Sequence, residues 1–355
     1  MNIKMPANYL QEKDLIKNIY EKCSYLLKEG CLIILDKFSY DNFKEKVCES
    51  FERNKARYIM EVLQGECCLE NINELIEKSK QINAKTILGV GGGKVLDTAK
   101  AIGYYGDLKT IMFPTAASMD GPCSRISVLY NKKGVFDKYL YLDKNPDAVL
   151  VDTQIIANAP AKLLKAGIGD ALSTYFETEA GIAGEMERIG TTTISRAAQS
   201  ISRSCYEVIK KQSTEAVKAV EGNNVNKALE DVIEAIIFLS CVGFENGYLA
   251  AAHSVNNALS SLPKYNKFMH GEKVVLGVVT QLLLENKSDE DINEVVEICK
   301  KVGLCYKAEE FGIKKEDIDE IAEFALGDDQ PIHNMKKNLV NHNKLVNAIL
   351  STNHV

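Results

Sequence analysis

The chain has 355 residues, of which 46% are hydrophobic and 26% charged, a composition typical of folded soluble proteins. Its net charge of -6 and the lack of any lysine- or arginine-rich block argue against nucleic acid or an anionic membrane as a partner. The length predicts two domains, each large enough to bury its own core.

The ten cysteines include no Cys-x-x-Cys pair, so neither metal nor disulfide spacing is present. Scattered thiols of this kind indicate a reducing cytoplasm. No N-terminal segment joins a basic flank to an apolar core, so we expect no signal peptide. The longest apolar run, residues 235–244, is too short to span a bilayer, and we expect a cytoplasmic protein without membrane contact.

The first part of the chain alternates between helical and strand-like patterns, which predicts a parallel sheet with right-handed crossovers. The predicted helices cover residues 10–28, 40–51, 71–81 and a segment from 94 onward. The predicted strands cover residues 31–35, 57–62, 86–90, 109–113, 125–130 and 148–151.

A glycine-rich turn joins the fourth helix to the strand before it, in the sequence Gly89-Val-Gly-Gly-Gly-Lys-Val-Leu-Asp-Thr-Ala-Lys100. Bare backbone N–H groups at the start of a helix, together with the helix dipole, bind pyrophosphate well. The spacing differs from the usual Gly-x-Gly-x-x-Gly. A tight turn packed for structural reasons alone would also use glycine, so both interpretations remain.

Asp36 follows the strand 31–35, at the position where an acid accepts hydrogen bonds from the adenosine ribose hydroxyls. Such an acid repels a 2′-phosphate, which favours NAD over NADP. Asp36 is equally suited to a solvated loop or to capping the next helix.

The segment 114–122, Pro-Thr-Ala-Ala-Ser-Met-Asp-Gly-Pro, lies just past the end of another strand, where open sheets bind ligands. Turn chemistry accounts for its prolines and for Gly121. It accounts less well for the run of hydroxyls beside a single carboxylate, Asp120.

From about residue 160 the pattern is helical to the C-terminus, with breaks at 222–224, near 263 and at 327–331. We therefore predict an α/β dinucleotide-binding domain over residues 1–160. An all-helical domain that binds metal and substrate is predicted over residues 161–355.

Only five histidines occur, and two of them have unusual settings. His253 lies on a helix of small residues, and His270 precedes an apolar helix. Each histidine alone is more often a core or cap residue than a ligand, and Asp170 after Gly169 suits a helix N-cap. One carboxylate and two imidazoles also suit a catalytic divalent metal with open positions.

Six segments together resemble the iron-containing (group III) alcohol dehydrogenase family, in particular its glycerol-oxidising members. They are the glycine-rich motif 89–100, Pro114-Thr-Ala-Ala-Ser-Met-Asp-Gly-Pro-Cys-Ser124, Asn145-Pro-Asp-Ala-Val-Leu-Val-Asp-Thr153, Ala166-Gly-Ile-Gly-Asp-Ala-Leu172, Gly247-Tyr-Leu-Ala-Ala-Ala-His253 and His270-Gly-Glu-Lys273. The likeness runs from about residue 6 to residue 333. It implies a Rossmann-like parallel-sheet domain followed by an all-α domain, the dehydroquinate synthase-like architecture, with the active site in the cleft between them.

The resemblance also implies the site. The metal, zinc in the glycerol-oxidising members with Fe2+ as the alternative, would be held by Asp170, His253 and His270. Asp120 would hold a hydroxyl of a small polyol such as glycerol. The residues expected to contact NAD are Asp36, Gly92, Gly93, Lys94, Thr115, Ser118, Ser124, Ile126 and Tyr130. Large homo-oligomers are common in the family, so we expect one here.

The implied reaction is metal-assisted hydride transfer from glycerol to NAD, giving dihydroxyacetone. The chain departs from the pattern at Asn256, where many members carry a second histidine, so a proton relay would use another group. It departs again at Met119-Asp-Gly121, a form found in glycerol-1-phosphate dehydrogenases. Such an enzyme, with Arg125 as a candidate phosphate ligand, and a metal-dependent lyase similar to dehydroquinate synthase are the alternatives.

Overall fold

The computed structural model describes residues 3–355. A six-stranded parallel sheet forms the first part of the chain, in the order β1-β8-β5-β4-β2-β3, and β6 and β7 form a separate antiparallel hairpin. The strands are β1 Tyr9–Glu12, β2 Cys31–Leu35, β3 Tyr58–Val62, β4 Thr86–Gly91, β5 Lys109–Pro114, β6 Ile126–Tyr130, β7 Phe136–Tyr141 and β8 Ala148–Asp152.

Helices cover the sheet and make up the rest of the described chain. They are α1 Ile19–Lys22, α2 Ser24–Leu27, α3 Lys37–Arg53, α4 Leu69–Gln81, α5 Gly93–Gly106, α6 Thr153–Ala157, α7 Ala161–Ile189, α8 Arg196–Glu221, α9 Lys227–Glu234, α10 Cys241–Asn246, α11 Ala251–Ser261, α12 His270–Leu284, α13 Asp289–Val302, α14 Lys315–Ala325 and α15 His342–Ser351. A π-helical segment, Ala235–Ser240, joins α9 to α10. Short 3-10 turns lie at Leu15–Asn18, Gly121–Cys123, Pro263–Tyr265, Ala308–Phe311, Pro331–Asn334, Lys337–Leu339 and Thr352–His354.

The central strands are buried on both faces, and their side chains alternate between two cores. On β2, Ile33 and Leu35 belong to the cluster that includes Phe51 of α3. Leu32 and Ile34 point the other way, into the cluster that includes α4 and α5 and continues into the helical half. Burial on both faces explains why these strands are continuous apolar runs in the sequence.

The predicted fold class is confirmed: a parallel α/β sheet comes first and helices follow. All strands of the described residues end by Asp152. The helical breaks predicted at 222–224, near 263 and at 327–331 also lie between helices. The division into domains at residue 160 stays a prediction.

One predicted element is wrong, and one strand was missed. Residues 10–28 are not one helix, because Tyr9–Glu12 pairs with β8 as the edge strand of the sheet and only short helical turns follow. An edge strand of four residues is defined by its partner on β8, so its own pattern carries little signal. The hairpin strand Phe136–Tyr141 was not predicted, since most of its residues are exposed.

Among the described residues, no single helix is both long and apolar enough to cross a membrane. One pair, Lys227–Asn246 and Ala251–Ser261, meets that criterion when taken together, but its two parts are bent by 106°.

Candidate active site

The carboxyl ends of β2 and β4 lie side by side where the strand order reverses, since β3 follows on one side of β2 and β5 and β8 lie beyond β4. Such a switch point opens a crevice for a ligand. Asp36 follows β2 and Gly92 follows β4. An oxygen of Asp36 lies 3.4 Å from the backbone nitrogen of Gly92, so the two predicted cofactor positions meet.

The predicted N-cap role of Asp36 is also present, because its other oxygen accepts the backbone N–H of Ser39 at 2.6 Å. The N-terminus of helix α5 differs from that of α3, which Asp36 caps. Its N-cap residue, Gly92, has no side chain to cap the first N–H groups, and a Cβ built on Gly92 would meet nothing within 4 Å. An uncapped helix start with open space beside it fits the phosphates of a dinucleotide.

The other predicted cofactor residues lie on the loop after β5, on β6 and at the start of α5. Thr115 donates its backbone N–H to Gly91, next to the glycine turn. Ser124 is buried, and Ile126 and Tyr130 begin and end β6. Ser118 is half-buried on the loop after β5, while Lys94 points outward and pairs with Glu66 at 2.8 Å.

Lys100 of α5 holds the loop after β5 against the glycine-rich helix, and the sequence argument assigned it no role. The side chain is almost fully buried. Its amine pairs with Asp97 at 2.9 Å and donates to the carbonyl oxygens of Gly121, at 3.2 Å, and Ile126. A single ammonium group therefore fixes both ends of the segment 121–126, which carries Ser124 and directly follows Asp120.

The three predicted metal ligands come from three helices that cross in the second half. Asp170 lies inside α7, so the N-cap alternative for it is wrong: the helix begins at Ala161, well before it. His253 is in the first turn of α11, and His270 is the first residue of α12.

Close contact between α7 and α12 brings two of these ligands together. A Cβ on Gly271 would lie 1.7 Å from the carbonyl oxygen of Ala166, so only glycine allows this approach. Gly271 follows His270, and the backbone at this crossing therefore places His270 beside Asp170. The carboxylate of Glu272 accepts the N–H of Met269 at 2.7 Å and fixes the start of α12.

The geometry of the three side chains suits a divalent metal. One ligand atom from each lies within 4.8 Å of the others. Oδ1 of Asp170 is 3.2 Å from Nε2 of His270 and 3.8 Å from Nε2 of His253. That buried oxygen has no hydrogen-bond partner among the described residues. A buried carboxylate oxygen without a partner is costly, so the site fits a cation at this point.

Exposure of the three side chains rises in steps across the site. It is 0% for Asp170, 12% for His253 and 40% for His270. The site is therefore closed behind the carboxylate and open beside His270. A catalytic metal with three protein ligands needs such an open side for water or substrate.

The carboxylates and imidazoles of the site shift one another's pKa. Burial lowers the pKa of His253, but the carboxylates of Glu177 and Asp170 outweigh burial and raise it to about 9. Burial raises the pKa of Asp170, and the two imidazoles more than reverse this, leaving it below its ordinary value. A divalent ion bound in place of the imidazolium proton would compensate the negative charge of the same carboxylates.

Asp120 lies between the crevice and the three ligands. Its backbone N–H donates to Oδ2 of Asp170 at 3.2 Å, and its own Oδ2 accepts the hydroxyl of Ser240 at 2.9 Å. Burial, with the nearby charge of Asp170, raises the pKa of Asp120 well above its ordinary range. Ser240 ends the π-helical segment, a deformation frequently found at functional sites.

Glu177 was also not predicted, although it lies on the same face of α7 as Asp170, seven residues further on. Its Oε2 lies 2.6 Å from Nδ1 of His253. The i, i+7 spacing of these two acids indicated that both lie on the same face of α7. The partner on α11, however, could not be identified without the packing of the two helices.

Arg125, the candidate phosphate ligand, has two partners for its side chain within the protein. Its guanidinium lies 4.0 Å from the carboxylate of the buried Glu245 and donates to the carbonyl oxygen of Leu142. Glu245 also accepts the backbone N–H of Arg125 at 2.8 Å. Arg125 thus ties β6 to α10.

Asn256, at the position of the missing second histidine, lies one turn after His253 and is buried. Its side-chain oxygen accepts the hydroxyl of Ser260 at 3.5 Å, and Ser260 in turn accepts the amine of Lys273 at 2.6 Å. Lys273 is buried, which lowers its pKa. A polar chain therefore leads from the histidine position to an amine on α12.

A parallel-sheet crevice with an uncapped glycine turn, facing an Asp/His/His set, defines a metal-dependent dehydrogenase of the two-part α/β and all-α type. A family model of iron-containing alcohol dehydrogenases matches residues 6–153. The chain is 40% identical to a glycerol dehydrogenase of Citrobacter freundii, over 94% of this chain and 92% of the relative. It is 39% identical to one of Pseudomonas putida, with the same coverage of 94% and 92%.

The crystal structure of glycerol dehydrogenase from Schizosaccharomyces pombe superimposes with a TM-score of 0.91 at 31% identity, covering 99% of this chain and 90% of that one. The chain belongs to the iron-containing alcohol dehydrogenase family, and it is an oxidoreductase. The resemblance found in the sequence is confirmed.

Proposed function

We propose that the protein oxidises glycerol to dihydroxyacetone, with NAD as hydride acceptor and with zinc held by Asp170, His253 and His270. The observation that carries this proposal is the unpartnered Oδ1 of Asp170, which two imidazole nitrogens approach. The similarity to the curated glycerol dehydrogenases supports the substrate.

Zinc lowers the pKa of bound water from about 15.7 to about 7, and a similar effect on an alcohol is worth about 11 kcal/mol. A positioned general base contributes only about 3–5 kcal/mol. The three ligands are therefore the most important residues of the chain for the reaction. The same set of one carboxylate and two imidazoles also accepts Fe2+, the alternative metal.

Asp120 is the residue that we assign to the second hydroxyl of the polyol. Ser240 holds one oxygen of its carboxylate, which leaves the other to accept a substrate hydroxyl. A simple alcohol lacks that neighbouring hydroxyl, so Asp120 favours vicinal diols such as glycerol. The position of Asp120 next to Asp170 supports this role.

The crevice residues would hold NAD, which supplies the hydride acceptor. We assign the pyrophosphate to Gly92, Gly93 and Lys94 at the start of α5, and the ribose hydroxyls to Asp36. The remaining contacts are assigned to Thr115, Ser118, Ser124, Ile126 and Tyr130. Because Asp36 is an acid, it would repel the 2′-phosphate of NADP.

Two other activities use the same family of folds. Glycerol-1-phosphate oxidation requires cations that bind the substrate phosphate. The contacts of Arg125 with Glu245 and Leu142 disfavour this activity, since they neutralise and partly occupy the guanidinium of the one candidate phosphate ligand. A dehydroquinate synthase-like lyase would use NAD only transiently.

One experiment separates these functions. The purified protein is stripped of metal, restored with zinc or Fe2+, and assayed for NADH with glycerol, glycerol 1-phosphate and propane-1,2-diol. We expect zinc-dependent NADH accumulation with glycerol, and less with NADP as acceptor. Turnover of glycerol 1-phosphate alone, or no net NADH with any diol, would overturn the proposal.

We further propose a cytoplasmic homo-oligomer with no nucleic-acid or membrane partner. All ten cysteines are free thiols, eight of them buried, which supports a reducing compartment. Light scattering of the purified protein would test the assembly.

A further inference from the structure

Glu177 connects the two ligand helices through one buried carboxylate. Its Oε1 accepts the backbone N–H groups of Ala250, at 2.7 Å, and of His253, at 2.9 Å. Its Oε2 lies 2.6 Å from Nδ1 of the His253 ring. The side chain is completely buried, so water does not compete for either oxygen.

The different partners of the two Glu177 oxygens determine which nitrogen of the His253 ring carries a hydrogen. Oε1 faces two N–H donors and acts only as an acceptor there. A carboxylate has no proton of its own to donate, so Nδ1 of His253 must carry the hydrogen of the 2.6 Å contact. In the neutral ring, Nε2 therefore has the free lone pair. Nε2 is also the nitrogen that faces Asp170.

We propose that Glu177 is a positioning residue that holds His253 in the tautomer and orientation needed to bind the metal through Nε2. The inference rests on the metal site of the proposed function. Carboxylates that bind the second nitrogen of a ligand histidine strengthen metal binding in this manner.

Glu177 has a second, purely structural task, which the test must separate from the first. Helix α11 has no side-chain cap of its own at Ala250, and Glu177 supplies the acceptor for its first turn from α7. If capping were the whole role of Glu177, any side chain with a carbonyl oxygen in the same place would serve.

Glu177→Gln separates the two tasks, because glutamine has one oxygen and one NH2 group. The oxygen must face the N–H groups of Ala250 and His253, since an NH2 group there would meet two donors. The NH2 group then faces Nδ1 of His253 and donates to it. This leaves the hydrogen of a neutral ring on Nε2, the tautomer that cannot bind the metal.

The experiment measures zinc affinity of the full-length protein by competition with a chelator. We expect zinc binding of Glu177→Gln to be weaker by about 10- to 100-fold, while the circular dichroism of the metal-free protein stays that of the folded wild type. The matched control is Glu185→Gln, which removes another buried carboxylate of α7 that binds Thr192 and Thr193 instead. The control should bind zinc like the wild type.

A loss of less than about tenfold in Glu177→Gln would overturn the inference. A measurement on the wild type keeps the test valid if the variant fails to fold. In the zinc-loaded protein, 15N-resolved NMR of His253 should show a hydrogen on Nδ1 and the metal on Nε2, and the reverse assignment would also overturn the inference. Failure of the wild type to bind zinc would instead contradict the proposed function itself.

Discussion

The backbone N–H of Asp120 donates to Oδ2 of Asp170 across 3.2 Å, which joins the loop after β5 to a helix of the second half. This bond occupies one oxygen of Asp170 and leaves Oδ1 for the two imidazoles. The side chain of Asp120 remains available on the same side. The residue assigned to the substrate is therefore positioned by a metal ligand.

Substitution of Asp120 by asparagine tests this arrangement, because it changes the side chain and keeps the backbone N–H. We expect Asp120→Asn to retain zinc and to lose about 10- to 100-fold in kcat/KM for glycerol, the cost of losing a hydrogen bond to a charged group. Activity with a simple secondary alcohol should change less. Equal losses with both substrates would contradict the assignment of Asp120 to the second hydroxyl.

Removal of one imidazole tests the metal site directly. His253→Ala should abolish both zinc retention after gel filtration and glycerol oxidation, since two ligands remain of three. The control is His342→Ala, because His342 is half-buried on α15 and its ring pairs with Asp319 at 3.6 Å. Near-normal zinc content and activity in His253→Ala would refute the site.

Lys100→Met tests the link between α5 and the substrate loop. The variant leaves the carbonyl oxygens of Gly121 and Ile126 and the carboxylate of Asp97 without their buried partner. We expect a loss of about 1–3 kcal/mol in stability and a raised KM for NAD. Zinc affinity should not change, and Lys138→Met on the exposed hairpin is the control. An unchanged KM for NAD would show that the loop keeps its position without Lys100.

Gly93→Ala tests the predicted pyrophosphate site. A Cβ there would lie 2.2 Å from the terminal methyl of Met119, a flexible group that can move aside, so we expect the variant to fold. The added methyl group should still weaken NADH binding by about tenfold or more, measured by fluorescence titration, because the backbone must approach the phosphates closely. Gly222→Ala, at the end of α8, is the control.

The double variant Gly93→Ala, Met119→Ala identifies the cause of any loss of NADH binding in Gly93→Ala. It removes the contact with Met119, so full recovery of NADH binding would mean that displaced Met119, and not the phosphates, was responsible.

Glu285, which lies outside the active site, makes the stability of the folded protein depend on pH. Burial raises the pKa of this carboxyl group at the end of α12 to about 7. Between its ordinary pKa and 7, the folded state keeps a proton that the unfolded state loses, so stability falls as the pH rises through this range.

Glu285→Gln should therefore match the wild type near pH 4.5 and be more stable above pH 7, by up to about 3 kcal/mol. Thermal unfolding across this pH range measures the difference, and exposed Glu323→Gln serves as the control. A stability gain that is equal at both ends of the range would contradict the raised pKa.

Sequence patterns predicted the sheet well because its strands are buried on both faces and appear as apolar runs. Cys31–Leu35 and Thr86–Gly91 are of this kind. The patterns failed for Tyr9–Glu12 and Phe136–Tyr141, whose structure depends on a partner strand and not on their own burial. Local signals do not contain that information.

The site was predicted less completely. The ligands Asp170, His253 and His270 came from the family resemblance, since the residues alone favoured cap and core roles. Glu177 and Lys100 were missed because each acts through residues distant in sequence, on α11 and on the loop after β5. Only the packing of the helices shows such partners.

The stepwise exposure of the three ligands has a consequence for how the protein acquires its ion. Asp170, His253 and His270 meet only when α7, α11 and α12 have packed. The nascent or unfolded chain therefore lacks a comparable metal site, and we expect the protein to bind its metal ion after it has folded. Since the side chain of His270 is 40% exposed, we expect ions to exchange in the native protein without unfolding. Preparations from media with different trace elements should therefore contain the same polypeptide with different ions, and should differ in heat resistance in proportion to how tightly each ion is bound.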